Sequence, residues 1–427
     1  MFFAIGLFVL ALILMVAGAE MFLVMGLPSV LTKHLFHPGM PDLIVGQRIV
    51  GGVEVVTLLA IPFFLFAADL MARGKMAGQL ADLFRGLVGS TRGGIGYSTV
   101  VANMAFGAAS GSAPATVAAM GRLSYPELRR AGFSDKFSLG LIASSAECAL
   151  LIPPSIAFVV YSWLTGTSIA ALFAAGLGVG IFLGLAFMAM VAIETHQKTI
   201  GAGESPPPGH QWRALRAAVW ILGLQAIIIG GIFSGLFTAT EAAAVSVVYA
   251  ILVEVLVQKS MNWRDVFSIA KGSAISTGTI FVLLAMGALL AYFITLSGFD
   301  VTLLAAVRDF GLNWVGFLLA INLVFLVAGM FLDPNSIMLI FLPTLFPIST
   351  ALGIDPIHFG MVVVLNVCIG MITPPFGLDL FVTSGTLKVP VETVVAGILP
   401  FVITNLIVLA FVSYVPVLST TLPKLFL

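Results

Sequence analysis

Long apolar runs, separated by short polar or Gly- and Pro-containing stretches, dominate this chain. A bilayer-spanning helix needs about 20 mostly apolar residues. By that criterion crossings are predicted at 2–17, 20–36, 50–72, 136–163, 170–193, 214–233, 238–257, 273–297, 357–387 and 392–416. The first two are short and nearly contiguous, so one long tilted helix fits them equally. Two other apolar stretches, 94–131 and 312–352, have polar or Pro-containing centres, Ser110-Gly111-Ser112-Ala113-Pro114 and Asp333-Pro334-Asn335-Ser336. A bilayer tolerates broken backbone only where protein or water covers it. Re-entrant hairpins, entering and leaving by one face, fit these centres better than straight spans. Segments 74–92 and 258–272 are short and basic and each follows a span. They fit amphipathic arms lying in the membrane interface, or plain connecting loops.

One linker stands out, HQKTIGAGESPPPGHQWR at 196–213, close to the chain midpoint. A midpoint linker prompts a search for an internal repeat. Glu20 and Glu241 lie 221 residues apart, each opening an apolar run; Ala113-Pro114 and Asp333-Pro334 lie 220 apart at the hairpin centres. Pro153-Pro154 and Pro374-Pro375 lie 221 apart, each inside a continuous apolar helix. Three landmarks at one offset and in one order predict two homologous halves. The first repeat is 1–195, with scaffold helices at 1–72, an arm at 74–92, a hairpin at 94–131 and a broken helix at 136–163. The second is 214–427, with scaffold at 214–257, an arm at 258–272, a hairpin at 312–352 and a broken helix at 357–387.

Composition sharpens the class. Hydrophobic residues make up 60% of the 427 and charged residues 9%, against roughly 25% charged in soluble domains. Nineteen Lys and Arg balance nineteen Asp and Glu, leaving no basic excess for nucleic acid. Cys148 and Cys368 lie in apolar runs, too few for a disulfide framework and without metal-ligand spacing. The N-terminus lacks a basic leader and a small-residue cleavage site, so no cleavable signal is expected. Lys and Arg concentrate in cytoplasmic loops. Placing 73–92 inside puts 15 of the 19 on that face and leaves only Lys33, Arg48, Arg308 and Lys424 outside. Both termini are then extracytoplasmic. Five crossings per half make the second repeat inverted relative to the first, so the first hairpin opens from the cytoplasm and the second from outside.

Inverted repeats with discontinuous helices near the midplane are the pattern of secondary transporters. Breaking a helix frees carbonyls for a cation and turns half-helix N-termini, with their positive dipole ends, toward an anion. The breaks are Ile152-Pro153-Pro154-Ser155 and Thr373-Pro374-Pro375-Phe376-Gly377; proline removes a backbone donor and clashes with the preceding turn. Pro pairs also merely kink helices, and Ser-Gly-Ser also packs tightly, but paired sites in both halves favour ion binding. Sodium is therefore expected at Ser110, Gly111, Ser112 and Ser145 near Pro153, and at Gly329, Asp333, Thr373, Pro374 and Gly377. Substrate is expected between the tips, near Pro114, Ala115, Thr116, Asn335 and Ser336. Within spans, ionisable residues are costly and functional by default. Glu147 lies before the first break and Asp379 after the second. Each, like Asp333, could complete a cation site, bind a proton, or pair with a buried Arg or backbone amide. Glu20 and Glu241 suit helix N-termini. No HExxH or phosphate-binding loop is present, and the five His residues are scattered, so no enzyme activity and no organic cofactor are expected.

These residues carry a resemblance. The stretches LLAIPFFLFAADLM at 58–71, SGSAPATVAAMG at 110–121, IPPS at 152–155, GLFTATEAAAVSVVYA at 235–250, GMFLDPNSIMLIFLPTLFPI at 329–348 and GMITPPFGLDLFV at 370–382 resemble the large membrane subunit of the tripartite ATP-independent periplasmic transporters. The resemblance runs over essentially the whole chain. It implies an all-α polytopic fold like that of the ion-transporter superfamily, with a static scaffold and a moving, elevator-type transport domain. It also implies sodium-coupled uptake of an organic acid, such as a dicarboxylate or a sialic-acid-like anion, across the bacterial inner membrane. The implied partners are a periplasmic substrate-binding protein and a small four-helix membrane subunit. Two residues depart from that family: Glu147, where a small or apolar residue is usual, and Asp379, where Asn is common. The alternative within the superfamily is a self-sufficient divalent-anion and sodium symporter, or an anion efflux protein.

Overall fold

A computed structural model describes residues 2–201 and 209–427, and no strand occurs among them. Residues 202–208 of the expected linker lie outside the described residues. The first half comprises α1 (Phe2–Val16), α2 (Met21–Phe36), α3 (Asp42–Gly51), α4 (Ala60–Arg73), α5 (Met76–Val88), α6 (Gly94–Ser110), α7 (Ala113–Arg130), α8 (Asp135–Ala146), α9 (Cys148–Leu151), α10 (Ile156–Thr165) and α11 (Ile169–Gln197). The second comprises α12 (His210–Phe233), α13 (Ala239–Ile251), α14 (Trp263–Leu296), α15 (Phe299–Asp309), α16 (Trp314–Gly329), α17 (Pro334–Ala351), α18 (Pro356–Ile372), α19 (Leu378–Leu387), α20 (Val391–Tyr414) and α21 (Val417–Phe426).

Polar residues at the ends of apolar runs set the boundaries. Ser134, Ser155 and Ser168 each accept a bond from the backbone at the start of α8, α10 and α11, satisfying amides the helix leaves unpaired. Thr238 and Glu241 form a reciprocal capping box on α13, so Glu241 is a helix cap. Asn262 and Asp265 do the same for α14.

Among the described residues, seven helices are long and apolar enough to cross a membrane, and a pair bent by 41° at the first Pro pair, Asp135–Leu151 with Ile156–Thr165, makes an eighth. Ten crossings were expected from hydropathy. The expected crossings at 2–17, 20–36 and 357–387 are not among the eight, because α1, α2, α18 and α19 each fall short of 18 residues, whereas α17, an arm of the second expected hairpin, is itself of spanning length and apolarity.

The 258–272 arm is not a separate element. Helix α14 starts at Trp263 and runs unbroken to Leu296 over 34 residues, about 50 Å at 1.5 Å per residue. Its Asn262–Asp265 capping box starts the helix well before the apolar run, so hydropathy alone misplaced the boundary. At the offset that relates the Pro pairs, the counterpart of α5 is α15, which hydropathy did not single out.

Two groups of helices pack internally. Helices α2 to α4 pack on α13 or α14, and α12 packs on α13 and α5, while α6 to α11 pack with α16 to α21. The groups meet where α14 lies on α17, with a Cβ at Gly287 falling 2.5 Å from the Leu339 side chain, where α5 packs on both α12 and α6, and where α4 touches α6 and α10.

Candidate functional site

Each hairpin folds back at a capped turn. Helix α6 ends at Ser110, Gly111 takes the left-handed conformation at φ +61°, and Ser112 caps α7 by accepting from the Ala115 amide at 3.4 Å. Ser110 Oγ and Thr116 Oγ1 lie 2.9 Å apart, and Thr116 also donates to the Ser112 carbonyl at 2.9 Å. Pro114 and Ala115 form the first turn of α7. The second tip uses a carboxylate instead. Asp333 caps α17 by accepting from the amides of Asn335 at 3.0 Å and Ser336 at 3.3 Å, and from the Ser336 hydroxyl.

Both tips reach their breaks. A Cβ on Gly111 would lie 2.7 Å from the Pro154 carbonyl, so only glycine lets the first tip approach that backbone. At the second, the Phe331 and Phe376 rings sit 5.5 Å apart. The Pro153-Pro154 and Pro374-Pro375 bonds are both cis. After each break a new half-helix begins, α10 capped by Ser155, whose hydroxyl donates to the Leu150 carbonyl at 2.5 Å, and α19 opening at Gly377. Thr373 Oγ1 donates to the Ile369 carbonyl at 2.6 Å, and the Gly377 amide to the Thr373 carbonyl at 3.2 Å.

Behind each tip, the first hairpin arm crosses the first half of the broken helix at backbone distance. A Cβ on Gly107 would lie 2.7 Å from Ala149 Cα, and one on Gly329 would lie 2.7 Å from Gly370 Cα. Gly329 therefore serves packing in this arrangement. A polar bridge lies one to two turns away in each case. Asn103 Nδ2 donates to Ser145 Oγ at 2.7 Å, and Asn366 Nδ2 donates to Asn322 Oδ1 at 3.0 Å. Ser145 thus stands at this bridge, two turns before the first Pro pair. Asn103, Asn322 and Asn366 were missed in the sequence; the available signal was an amide inside an otherwise apolar run.

The halves also interlock. Helix α7 packs on α19, and α10 packs on α17, so each hairpin's second arm lies on the other half's half-helix. Glu147, at the end of α8, and Asp379, in the first turn of α19, both lie within this block. Both are fully buried, and none of their four carboxylate oxygens has a hydrogen-bond partner. The Cys368 thiol of α18 donates to the Glu147 carbonyl at 3.9 Å.

Many apolar helices, paired hairpins and broken helices with polar tips define a multi-pass membrane protein of the transporter class. The family model for the tripartite ATP-independent periplasmic transporter, DctM component, matches residues 7–418, and the chain belongs to that family. It is 39% identical to a C4-dicarboxylate TRAP transporter large permease protein of Pseudomonas aeruginosa, over 94% of this chain and 93% of that one. It is 38% identical to an ectoine/5-hydroxyectoine large permease protein of Ruegeria pomeroyi, over 84% and 83%. A sialic acid large permease protein of Vibrio cholerae is 35% identical over 89% of each chain. Among solved structures, the YdaH transporter of Alcanivorax borkumensis matches with a TM-score of 0.63 over 89% of each chain at 14% identity, which is a likeness of fold.

Proposed function

We propose that this protein is the sodium-coupled membrane permease of a three-part importer for a small organic acid. A periplasmic substrate-binding protein delivers the substrate and a small four-helix membrane subunit completes the permease. The relatives named for C4-dicarboxylates, sialic acid and ectoine support a carboxylate-bearing substrate. The observation that carries the proposal is the pairing of each hairpin tip with its own break, Gly111 against Pro154 and Phe331 beside Phe376. There the hydroxyls of Ser110, Ser112 and Thr373 and the carbonyls freed at the Pro pairs suit a hard cation, which prefers oxygen ligands. The N-termini of α7 and α17, at Pro114–Thr116 and Asn335–Ser336, suit a carboxylate.

Alternating access in this proposal moves α6 to α10 with α16 to α19 as one body past a scaffold of α1 to α4 and α12 to α14, the halves being inverted repeats with both termini periplasmic. Pulling a hairpin from its break would strand buried polar groups at several kcal/mol each, whereas moving the interlocked block keeps them paired. The test is reconstitution with the binding protein and small subunit, using a substrate found by thermal-shift screening of the binding protein. Uptake should require both the binding protein and a sodium gradient, and crosslinking Gly287→Cys to Leu339→Cys should stop it. Uptake independent of sodium or of the binding protein would overturn the coupling or the three-part assembly. Full transport with the crosslink formed would overturn the elevator.

A further inference from the structure

We infer that α5 is anchored to the scaffold by the buried carboxylate of Glu254, and that Arg85 on α5 latches the moving block through Glu127, an ion pair that opens in every transport cycle. The inference rests on the elevator proposal and extends it to the helix that joins the two bodies. Hydropathy reads the arm at 74–92 as a connector on the membrane surface; the structure grips it from both sides.

Helix α5 packs on α12 of the scaffold and on α6 and α7 of the block. Its scaffold contacts are fixed ones. Glu254, in the π-helical turn Leu252–Val257 that continues α13, is fully buried and accepts from the amides of Lys75 and Met76, each at 3.3 Å. These amides open α5 and have no partner within the helix, so a carboxylate there meets both free donors and the positive dipole end. Ser260 Oγ donates to the same carboxylate, and a Cβ on Gly74 would run into it. One turn further along α5, the side-chain amides of Gln79 and Gln258 bond each other reciprocally at 3.0 Å. At the far end, Gln211 Nε2 in the first turn of α12 donates to the Gly86 carbonyl at 3.0 Å. Both ends of α5 are tied to the second half.

Just beyond α5 the chain changes sides. Arg92 Nε donates to the Ile200 carbonyl at 3.3 Å and the Gly93 amide to the Gly201 carbonyl at 3.4 Å. Both acceptors follow α11, which packs on α6 and α18. A Cβ on Gly93, whose φ is +72°, would collide with Thr195 of α11. Residues 89–91 therefore separate the scaffold-held arm from the block-held chain.

The contact of α5 with the block is of another kind. Arg85 pairs with Glu127 of α7, and with Asp82 of its own helix at 2.8 Å. The Arg85 side chain is 40% exposed and that of Glu127 30%. Beside the pair lies a cavity of about 170 Å³, lined in part by Ala81 and Asp82 of α5, Ser98 and Thr99 of α6, and Ser124 and Glu127 of α7. It has room for several waters, so Arg85 and Glu127 can exchange each other for water. A pair exposed to this degree biases an equilibrium by no more than about fivefold. Such a bond favours one arrangement without trapping it, whereas the Glu254 clamp is closed to water. Among the described residues no ion pair joins α15, the counterpart of α5, to another helix. The latch acts on one side only.

The experiment uses the reconstituted three-part complex and a reducible bifunctional thiol reagent. Linking Gln79→Cys to Gln258→Cys should leave uptake within about twofold of the unlinked protein, because both positions stand on the scaffold. Linking Arg85→Cys to Glu127→Cys should cut uptake at least tenfold, and reduction should restore it. Uptake lost with the first link, or kept with the second, would overturn the placing of α5. Glu254→Gln, added to the second pair, turns one accepting oxygen into a donor facing an amide and loosens the clamp. Helix α5 can then travel with the block, so uptake by the linked protein should rise at least threefold. A residue that only supports folding would give no rise, and that result would overturn the positioning role of Glu254. The latch is read separately, by the rate of disulfide formation between Gly287→Cys and Leu339→Cys, which reports how much protein holds this conformation. Glu127→Gln should slow that rate by about two- to fivefold, and an unchanged rate would overturn the latch. If the Gly287→Cys to Leu339→Cys crosslink stops uptake while the link from Arg85→Cys to Glu127→Cys does not, only this inference fails. If neither stops uptake, the proposed elevator fails with it.

Discussion

The two breaks are built alike and exposed differently. Around the first, every residue from Leu151 to Val160 is buried. Around the second, Pro375, Phe376 and Leu378 are exposed and Pro374 is half-buried. The first hairpin tip is held by a neutral cap, Ser112, and the second by a charged one, Asp333. Behind the tips the difference vanishes: both hairpins cross their broken helices at glycine and both carry an asparagine bridge. The crossing and the bridge are what each half needs in order to fold. Exposure and charge are where the halves diverge, as expected if one break is sealed while the other faces an opening.

The strongest way to break the comparison is at the shared crossing. Gly370→Leu places a side chain where a Cβ already lies 2.4 Å from Gly329 Cα, a backbone atom that cannot rotate away. Overpacking of this kind costs about 1–3 kcal/mol or more, so the variant should give little monodisperse protein on gel filtration. Gly107→Leu should behave alike, since its Cβ would meet Ala149 Cα at 2.7 Å. If only one of the two collapses, the halves are not equivalent at the crossing.

The exposure difference is tested by labelling. Both native cysteines are buried, so background reaction is low. Phe376→Cys should react with a membrane-impermeant maleimide at least tenfold faster than Ser155→Cys. Equal rates would mean that the first break is as open as the second.

Much of this was legible in the sequence. The chain turns at the polar centres of 94–131 and 312–352, between α6 and α7 and between α16 and α17, although α17 alone is long and apolar enough to cross a membrane. The Pro pairs fixed both helix breaks. What could not be read were contacts between distant residues. Ser145 looked like an ion ligand because it is a hydroxyl near a break, but its partner, Asn103, is 42 positions away. The packing of α7 on α19 and of α10 on α17 joins segments of opposite halves that no local pattern links. The expected arm at 258–272 includes the opening turns of α14, which its capping box starts ahead of the apolar run, so hydropathy divided one helix into an arm and a span.

A moderate effect is expected at the asparagine bridges. Asn103→Ala removes a buried donor from Ser145, and Asn366→Ala removes one from Asn322. Leaving a buried polar group unpaired costs about 1–3 kcal/mol, so each variant should lower the unfolding midpoint measured in detergent. The first should lose more, because Asn103 and Ser145 are fully buried whereas Asn322 is half-buried. Each partner keeps one bond, Ser145 to the Leu141 carbonyl at 2.5 Å and Asn322 to Ser413 at 2.9 Å, so the difference in burial sets the order.

The smallest effect should come from making the two tips chemically alike. Asp333→Ser gives the second hairpin the cap used by the first. Serine and aspartate are near-equal N-caps, and both can accept from the amide three residues on, as Ser112 does from Ala115. What is lost is one of two amide bonds, the bond from the Ser336 hydroxyl and the favourable charge at the α17 N-terminus, worth about 0.3–1 kcal/mol. Asp333→Ala removes the cap outright and should cost more, about 0.5–2 kcal/mol. Stability measured by thermal unfolding should therefore fall in the order wild type, Asp333→Ser, Asp333→Ala. If Asp333 serves only as a cap, sodium binding by Asp333→Ser should match wild type. A loss of one bound ion in that variant with near-normal stability would instead make the charge at the second tip an ion ligand, and the two tips chemically different by function.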